Sequence, residues 1–409
     1  MSPSEAPSPD QDPRRIATTP EHVFGDHRPF AQCHASTLVA LEGGRILVAW
    51  FGGTREAHRD VGIWTATRES DGDGMRRREH ADAPTSQTSS TPGGSTTTPP
   101  APTAPTTRTT PSSPKKPGES WSEPRLIAKV NDESHWNPVL FALSDDPSEL
   151  VLHFKVGSRI RDWQTWSQHS HDGGETWAAA APLVAGDRGG RGAVRNKPIR
   201  LASGHWLAGA SIERWKRWDA FIDRSPNGRD GWIATKEIQI DRSRFSGKGL
   251  IQPTLWESTP GLAHALFRTT DGRVYRSDSN DDGQTWTRAY PIGLPNNNSG
   301  LDVVRMRSGL LALACNPVQG NWADRTPLSV LFSCDNGFTW SEQIDLERDP
   351  GEFSYPAIIE VEDGLAISYT WNRRRIAVAR LRAGEIPNIS ANPPDPAMPA
   401  TPSGQRRET

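Results

Sequence analysis

Cysteine is scarce. The 409 residues hold three, Cys33, Cys315 and Cys334, too few and too scattered for a disulfide framework or a zinc site. Long apolar runs are missing too, and with no stretch of about 18 apolar residues no membrane-spanning helix is expected. The chain opens Met-Ser-Pro-Ser instead of a basic and then apolar leader, so the expectation is a soluble, cytoplasmic protein with reduced thiols. Nor is there a surplus of one charge. Lys plus Arg number 47 against 49 Asp plus Glu, which leaves no overall field to recruit nucleic acid or an anionic membrane. Charge selectivity must therefore be local. No cluster of ligands demands a structural calcium, and no metal or cofactor is expected.

What the chain does have is a repeated turn. Ser170-x-Asp172-x-Gly174-x-x-Trp177 returns at Ser279-x-Asp281-x-Gly283-x-x-Trp286 and at Ser333-x-Asp335-x-Gly337-x-x-Trp340. A worn copy, Ser225-x-Asn227 to Trp232, carries Arg229 in place of the glycine. In each, Asp or Asn can hydrogen-bond its own backbone two residues on, Gly supplies positive φ, and Trp folds back onto a sheet. Successive tryptophans Trp177, Trp232, Trp286 and Trp340 are 55, 54 and 54 residues apart, and Trp121 lies 56 before the first. A fixed period of roughly 40 to 55 residues filled with short strands predicts a propeller with one blade per repeat.

Six inner strands align. They begin at His34, Asn137-Pro138, Lys197-Pro198, Gln252-Pro253, Leu301-Asp302 and Tyr355-Pro356, so the fold expected is an all-β, six-bladed β-propeller. Four of the six open with a polar residue followed by Pro, which a strand tolerates at its start. Only five closing tryptophans serve six inner strands, leaving the last blade one strand short. A segment within Arg15 to Phe24 is therefore expected to close the ring and protect the open edge. The propeller is placed over 15–385, with disordered ends at 1–14 and 386–409. Residues 73–118, a Thr, Pro and Ser tract between the front and back of a first turn box, read as a low-complexity insertion at the outer rim.

Loops at the ends of inner strands converge on one face of a propeller. The polar groups there include His34, the loop Gly52 to Asp60 with Arg55, Glu56, His58 and Arg59, Asn137, Lys155, Arg195-Asn196-Lys197, Glu213, Gln252, Arg268, Asn296 to Asn298, Asp302, Asn316, Arg325, Glu352, Tyr355 and Asn372-Arg373. A set rich in Arg, Asn and carboxylates suits a sugar bearing an anionic group, because Arg binds a carboxylate through two parallel hydrogen bonds.

The turn boxes, their spacing and the stretches Trp50-Phe-Gly-Gly-Thr-Arg55-Glu, Asn196-Lys-Pro-Ile, Leu294-Pro-Asn-Asn-Asn-Ser299 and Phe353-Ser-Tyr-Pro-Ala-Ile358 resemble the sialidase (neuraminidase) superfamily over roughly residues 26 to 383. The resemblance implies an exo-acting glycoside hydrolase that removes a terminal acidic sugar from a glycan. It implies Asp60 as general acid and base, Arg268 and Arg325 as two of three carboxylate-clamping arginines, and Tyr355 as nucleophile. A neutral nucleophile is not repelled by the carboxylate beside the anomeric carbon. Three departures stand out. His34-Ala-Ser36 replaces the Arg-Ile-Pro that supplies the first clamp, Gln252 replaces the Glu that activates the tyrosine, and Tyr355 falls about two residues late. An amide cannot accept the phenol proton, which leaves Glu213 or Glu352 as the base.

Each pick has a structural rival. Arg268 and Arg325 can brace strand ends, Asp60 can pair within its own loop, and the Asn296 to Asn298 run can simply be a turn. Of the tryptophans, Trp136, Trp163, Trp166, Trp215 and Trp218 can fill blade interfaces or stack on sugars. Two further readings stay open: elimination on a uronic acid, with His34 or His58 as base and Tyr355 as acid, and glycan binding without turnover.

Overall fold

The computed structural model describes residues 19–70, 120–143, 147–187 and 190–388. They form six four-stranded antiparallel sheets. A short strand β1 (Glu21–His22) precedes blade 1, built from β2 (Gln32–Ala40), β3 (Ile46–Gly53), β4 (Gly62–Arg68) and β5 (Arg125–Ala128). Blade 2 holds β6 (His135–Ala142), β7 (Leu150–Val156), β8 (Gln164–Ser170) and β9 (Ala181–Pro182). Blade 3 holds β10 (Ile199–Arg200), β11 (Trp206–Glu213), β12 (Trp218–Ser225) and β13 (Ile233–Ala234). Blade 4 holds β14 (Leu250–Thr259), β15 (Leu262–Thr269), β16 (Arg273–Ser279) and β17 (Tyr290–Pro295). Blade 5 holds β18 (Asp302–Arg305), β19 (Leu311–Cys315), β20 (Leu328–Ser333) and β21 (Glu342–Glu347). Blade 6 holds β22 (Phe353–Val361), β23 (Gly364–Trp371) and β24 (Arg375–Arg382), and β1 completes it by pairing antiparallel with β24. The molecule is thus a six-bladed propeller closed by an N-terminal strand. The tract 73–118 and the segments 1–14 and 389–409 lie outside the described residues.

The core is divided among the seams. Six clusters of buried side chains occur, and each joins two neighbouring blades. The seam between blades 6 and 1 is typical, packing Leu38, Val48, Trp50 and Trp121 against Ala366, Ile376 and Val378, with Val23 and Phe24 alongside. Glu21 ties this seam, accepting hydrogen bonds from Arg68 at 2.9 and 3.0 Å and from the Trp121 indole at 3.0 Å.

The repeated turns are built alike. In blade 2 the Ser170 hydroxyl accepts from the Gly174 amide at 2.9 Å, Asp172 accepts from the Thr176 amide and hydroxyl, and the Trp177 indole donates to the Gly174 carbonyl at 3.1 Å. Blades 4 and 5 repeat the serine and aspartate contacts around Asp281 and Asp335. Glycine is required here by packing as well as by φ. A Cβ on Gly283 would lie 2.6 Å from Leu207 of the preceding blade. The worn copy in blade 3 has not lost its glycine: Gly228, one residue earlier, takes the positive φ of 76° and donates to Ser225 Oγ at 2.9 Å. The step from serine to glycine is one residue shorter there while the spacing from serine to tryptophan is kept, and Arg229 pairs with Glu149 of blade 2.

Candidate functional site

Four of the six inner strands carry a bulge near their start, marked by register breaks after His34, Trp136, Ile251 and Ser354. At each bulge a residue other than glycine takes positive φ: Ala35 55°, Asn137 40°, Gln252 54° and Tyr355 54°. Such a backbone costs on the order of 1–3 kcal/mol per residue and concentrates at functional sites. Pro138, Pro253 and Pro356 follow three of them, where the ladder has no need of an amide donor.

Tyr355 lies half-buried at the centre of what these bulges gather. Its hydroxyl receives a hydrogen bond of 2.6 Å from Arg268 Nη1, on β15 of blade 4. Arg195, Arg268 and Arg325 place their guanidinium carbons 5.3, 5.5 and 5.4 Å from its ring centroid. The His34 ring stands 4.3 Å away, centroid to centroid. Arg268 also donates to Gln252 Oε1 at 3.2 Å and to Asn298 Oδ1 at 2.8 Å, and the carbonyl of Gln252 accepts from Asn196. Glu352 bridges two arginines, accepting from Arg325 at 2.6 Å and from Arg373 Nε at 3.0 Å, while Arg373 reaches on to Glu56.

The charges around this group set its protonation. Burial drives the His34 imidazole well below its ordinary pKa, and Arg373, Arg325, Arg195 and Arg268 push it further down, so it is a neutral base with Nδ1 unpartnered in the interior. Burial also raises the Glu213 carboxyl; Arg268 and Lys248 oppose that, and Glu56 adds to it. Arg195 is 1% exposed and burial brings it down to about 10. It donates to the carbonyls of Tyr355 and Pro356, and its Nε and Nη1 have no partner.

The other residues named from the sequence stand differently. Asp60 is turned into its own loop, accepting from the Thr54 amide and hydroxyl and from His58 Nδ1 at 2.7 Å. Burial works to raise its carboxyl, but these bonds hold it at about 2. It lines a cleft with Arg28, Phe30, Thr54 and Trp64, whereas Arg55, Glu56 and Arg373 line the cleft that contains His34. Lys197 and Asp302 hold each other at 2.8 Å, and Asp302 also accepts from Thr254 and the Ile358 amide, a brace across blades 3 to 6. Asn137 is buried at its bulge in blade 2. Lys155 is wholly buried against Thr165 and the Arg191 carbonyl. The Asn296 to Asn298 run is part of the site's frame: Asn298 holds Arg268 and donates to Asn321 at 2.8 Å, and Asn297 donates to the Asp324 carbonyl and accepts from the Trp322 amide. Trp322, 63% exposed and 5.7 Å from the Arg268 guanidinium, is a residue that sequence reasoning missed. Its signal was faint, a lone tryptophan in a Gly-Asn-rich loop three residues before Arg325.

A family model described as a BNR repeat-like domain matches residues 44–367. The chain belongs to that family. Similar solved structures include the NanB sialidase of Streptococcus pneumoniae, at 12% identity and a TM-score of 0.63, covering 91% of this chain and 72% of that one. The leech intramolecular trans-sialidase has 11% identity and a TM-score of 0.62, with coverage of 90% and 71%. A protein of unknown function from Dyadobacter fermentans has 14% identity and a TM-score of 0.61, with coverage of 88% and 96%. At these identities the likeness is one of fold. No curated protein matches the chain. Among the described residues no group of three or more His, Cys, Asp or Glu is placed to hold a metal, and no helix is long and apolar enough to cross a membrane.

Proposed function

We propose that the chain is an exo-acting, sialidase-type glycoside hydrolase that removes a terminal acidic sugar from a glycan. The observation that carries this reading is the meeting of Arg268 and Arg325, from blades 4 and 5, on the single tyrosine Tyr355. The guanidiniums fix the sugar carboxylate. The Tyr355 oxygen forms a bond to the anomeric carbon as the glycosidic bond breaks, and the phenol proton passes to the carboxylate of Glu352, which meets Arg325 beside the tyrosine ring, since Gln252 has no lone pair basic enough to take it and cations crowd His34. The leaving oxygen takes its proton from Glu213. We place the acid role there and not on Asp60, because burial raises the Glu213 carboxyl and so favours its protonated form, whereas hydrogen bonds hold Asp60 at about 2. Water then displaces Tyr355 from the sugar, giving its proton to the Glu213 carboxylate, and Glu352 returns the first proton to the phenolate. Substrate is a glycan; neither nucleic acid, membrane nor cofactor enters the reaction.

One observation favours a second reading. The 4.3 Å approach of the neutral His34 ring to Tyr355 also suits a base and an acid that open a uronic acid by elimination. Products separate the two. Incubated with sialyl- and uronosyl-terminated oligosaccharides, the protein is expected to release a saturated free sugar, seen by mass spectrometry. An unsaturated, ultraviolet-absorbing product would replace hydrolysis by elimination, and binding without any product would leave only glycan recognition.

A further inference from the structure

An alternating row of aromatic rings and cations leaves the funnel beside Tyr355. Trp322 and Trp218 flank the Arg268 guanidinium at 5.7 and 5.9 Å, and Trp218 and Trp215 flank the Lys248 ammonium at 5.6 and 5.5 Å. The row therefore runs Trp322, Arg268, Trp218, Lys248, Trp215, from blade 5 across blade 4 to the rim of blade 3. Its ends are open, with Trp215 83% and Trp322 63% exposed and Lys248 exposed beside Trp215, while Trp218 and Arg268, 6% and 3% exposed, form the floor between them. Large aromatic rings left in water this way are not core, and their neighbours hold them in place. Trp322 adopts φ 65°, an unfavourable value for a bulky residue, and its amide is tied to the Asn297 carbonyl at 3.2 Å. Trp218 is pinned to the chain at Lys248 through its amide. Among the described residues no carboxylate lies within ion-pairing distance of Lys248. Beneath the Trp215 loop, buried Asp219 accepts from Arg214, Arg217 and Arg242 and Glu237 accepts from Arg217, so three guanidiniums and the Lys248 ammonium stand against two carboxylates although the whole chain carries a net charge of −2.

Resting on the hydrolase reading of the funnel, we infer that this row is a chain-binding platform for an acidic glycan, one with an anionic group on consecutive sugars. The open faces of Trp322 and Trp215 take the C–H faces of the sugar rings, with buried Trp218 holding the two cations apart, while Arg268 in the funnel and exposed Lys248 take successive carboxylates or sulfates. A neutral aglycone would use the rings and leave Lys248 idle. A nucleic acid strand would also stack and pair, but a chain of net charge −2 has no overall field to draw it in.

Equilibrium binding tests this in a Tyr355→Phe background, which stops turnover. The probes are tetra-α2,8-sialic acid, tetragalacturonate, a heparin-derived tetrasaccharide, the matching monosaccharides, a neutral cellotetraose and a single-stranded oligonucleotide. At least one acidic tetrasaccharide is expected to bind roughly tenfold or more tighter than its monosaccharide and than cellotetraose. Trp215→Ala and Lys248→Ala should each remove most of that advantage and leave monosaccharide binding unchanged, and which tetrasaccharide responds separates carboxylate from sulfate. The platform is overturned if tetrasaccharide and monosaccharide bind alike, if neither variant changes tetrasaccharide binding, if the oligonucleotide binds tightest, or if no acidic saccharide binds. Tetrasaccharide binding that obeys the variants in a wild type that releases no sugar would instead sink the hydrolase reading and leave the platform standing.

Discussion

Tyr355 is held by more than its own strand. A guanidinium hydrogen-bonds its hydroxyl, a second is buried against its carbonyl, a third lies over its ring, and an unprotonated imidazole leans on its face. Such an arrangement presents three positive charges around one ring, a setting that suits a bound carboxylate. Replacing Gln252 by Glu would set a carboxylate where Arg268 Nη1 now meets an amide at 3.2 Å, and the variant is expected to raise turnover by restoring a base; steady-state kinetics measure it. Glu213 supplies a pH prediction. Its carboxyl is raised from 4.5, so the acid form persists above that value and is lost as pH rises through the folded pKa. The rate should fall along that limb, and Glu213→Gln should erase the limb while sparing substrates whose leaving group needs no proton. Stability linked to the same shift runs the same way, present in full below 4.5 and lost as pH rises. These assignments were only partly legible in the sequence. Arg268, Arg325 and Tyr355 could be singled out by the resemblance and they meet in the fold, but the contrast between the Glu213 and Asp60 carboxyls is burial against hydrogen bonding, and burial depends on partners far along the chain.

At the scale of the element, the bulges and the turns divide the labour. Bulges on inner strands carry Asn137, Gln252 and Tyr355 in positive φ, with Gln252 and Tyr355 meeting on Arg268, while the serine–aspartate turns pack the outer hairpins against the blade before. Asp281→Ala removes the acceptor for the Thr285 amide and hydroxyl and should destabilise the fold by about 1–2 kcal/mol without altering turnover; urea melts and kinetics on the same sample check both halves. The turns were readable because their residues are neighbours in sequence. The bulges were not, since a polar residue followed by Pro marks a strand's start and says nothing of the sign of φ. In blade 3 the eye followed spacing to Arg229, and the glycine had moved one place earlier.

The whole molecule is a ring of seams. Its period was legible in five tryptophans, and the missing outer strand of the last blade pointed to the N-terminal segment that supplies it. The detail of closure was not, because Glu21 meets Arg68 and Trp121 only once the circle is complete. Glu21→Ala deletes two charge-assisted bonds and one from an indole, and should cost about 2 kcal/mol, read as a lower urea midpoint at unchanged slope. Since the seams between blades hold Arg195, Arg268, Arg325 and Tyr355 in register, loosening the ring should lower activity before it unfolds the chain.

The most direct test of this account is the hydrolysis of a fluorogenic α-sialoside by the wild type, Tyr355→Phe and Arg268→Ala. The account predicts turnover by the wild type, with kcat/KM reduced on the order of a hundredfold or more in both variants. A Tyr355→Phe protein that works as fast as the wild type, or a wild type with no turnover, would contradict it.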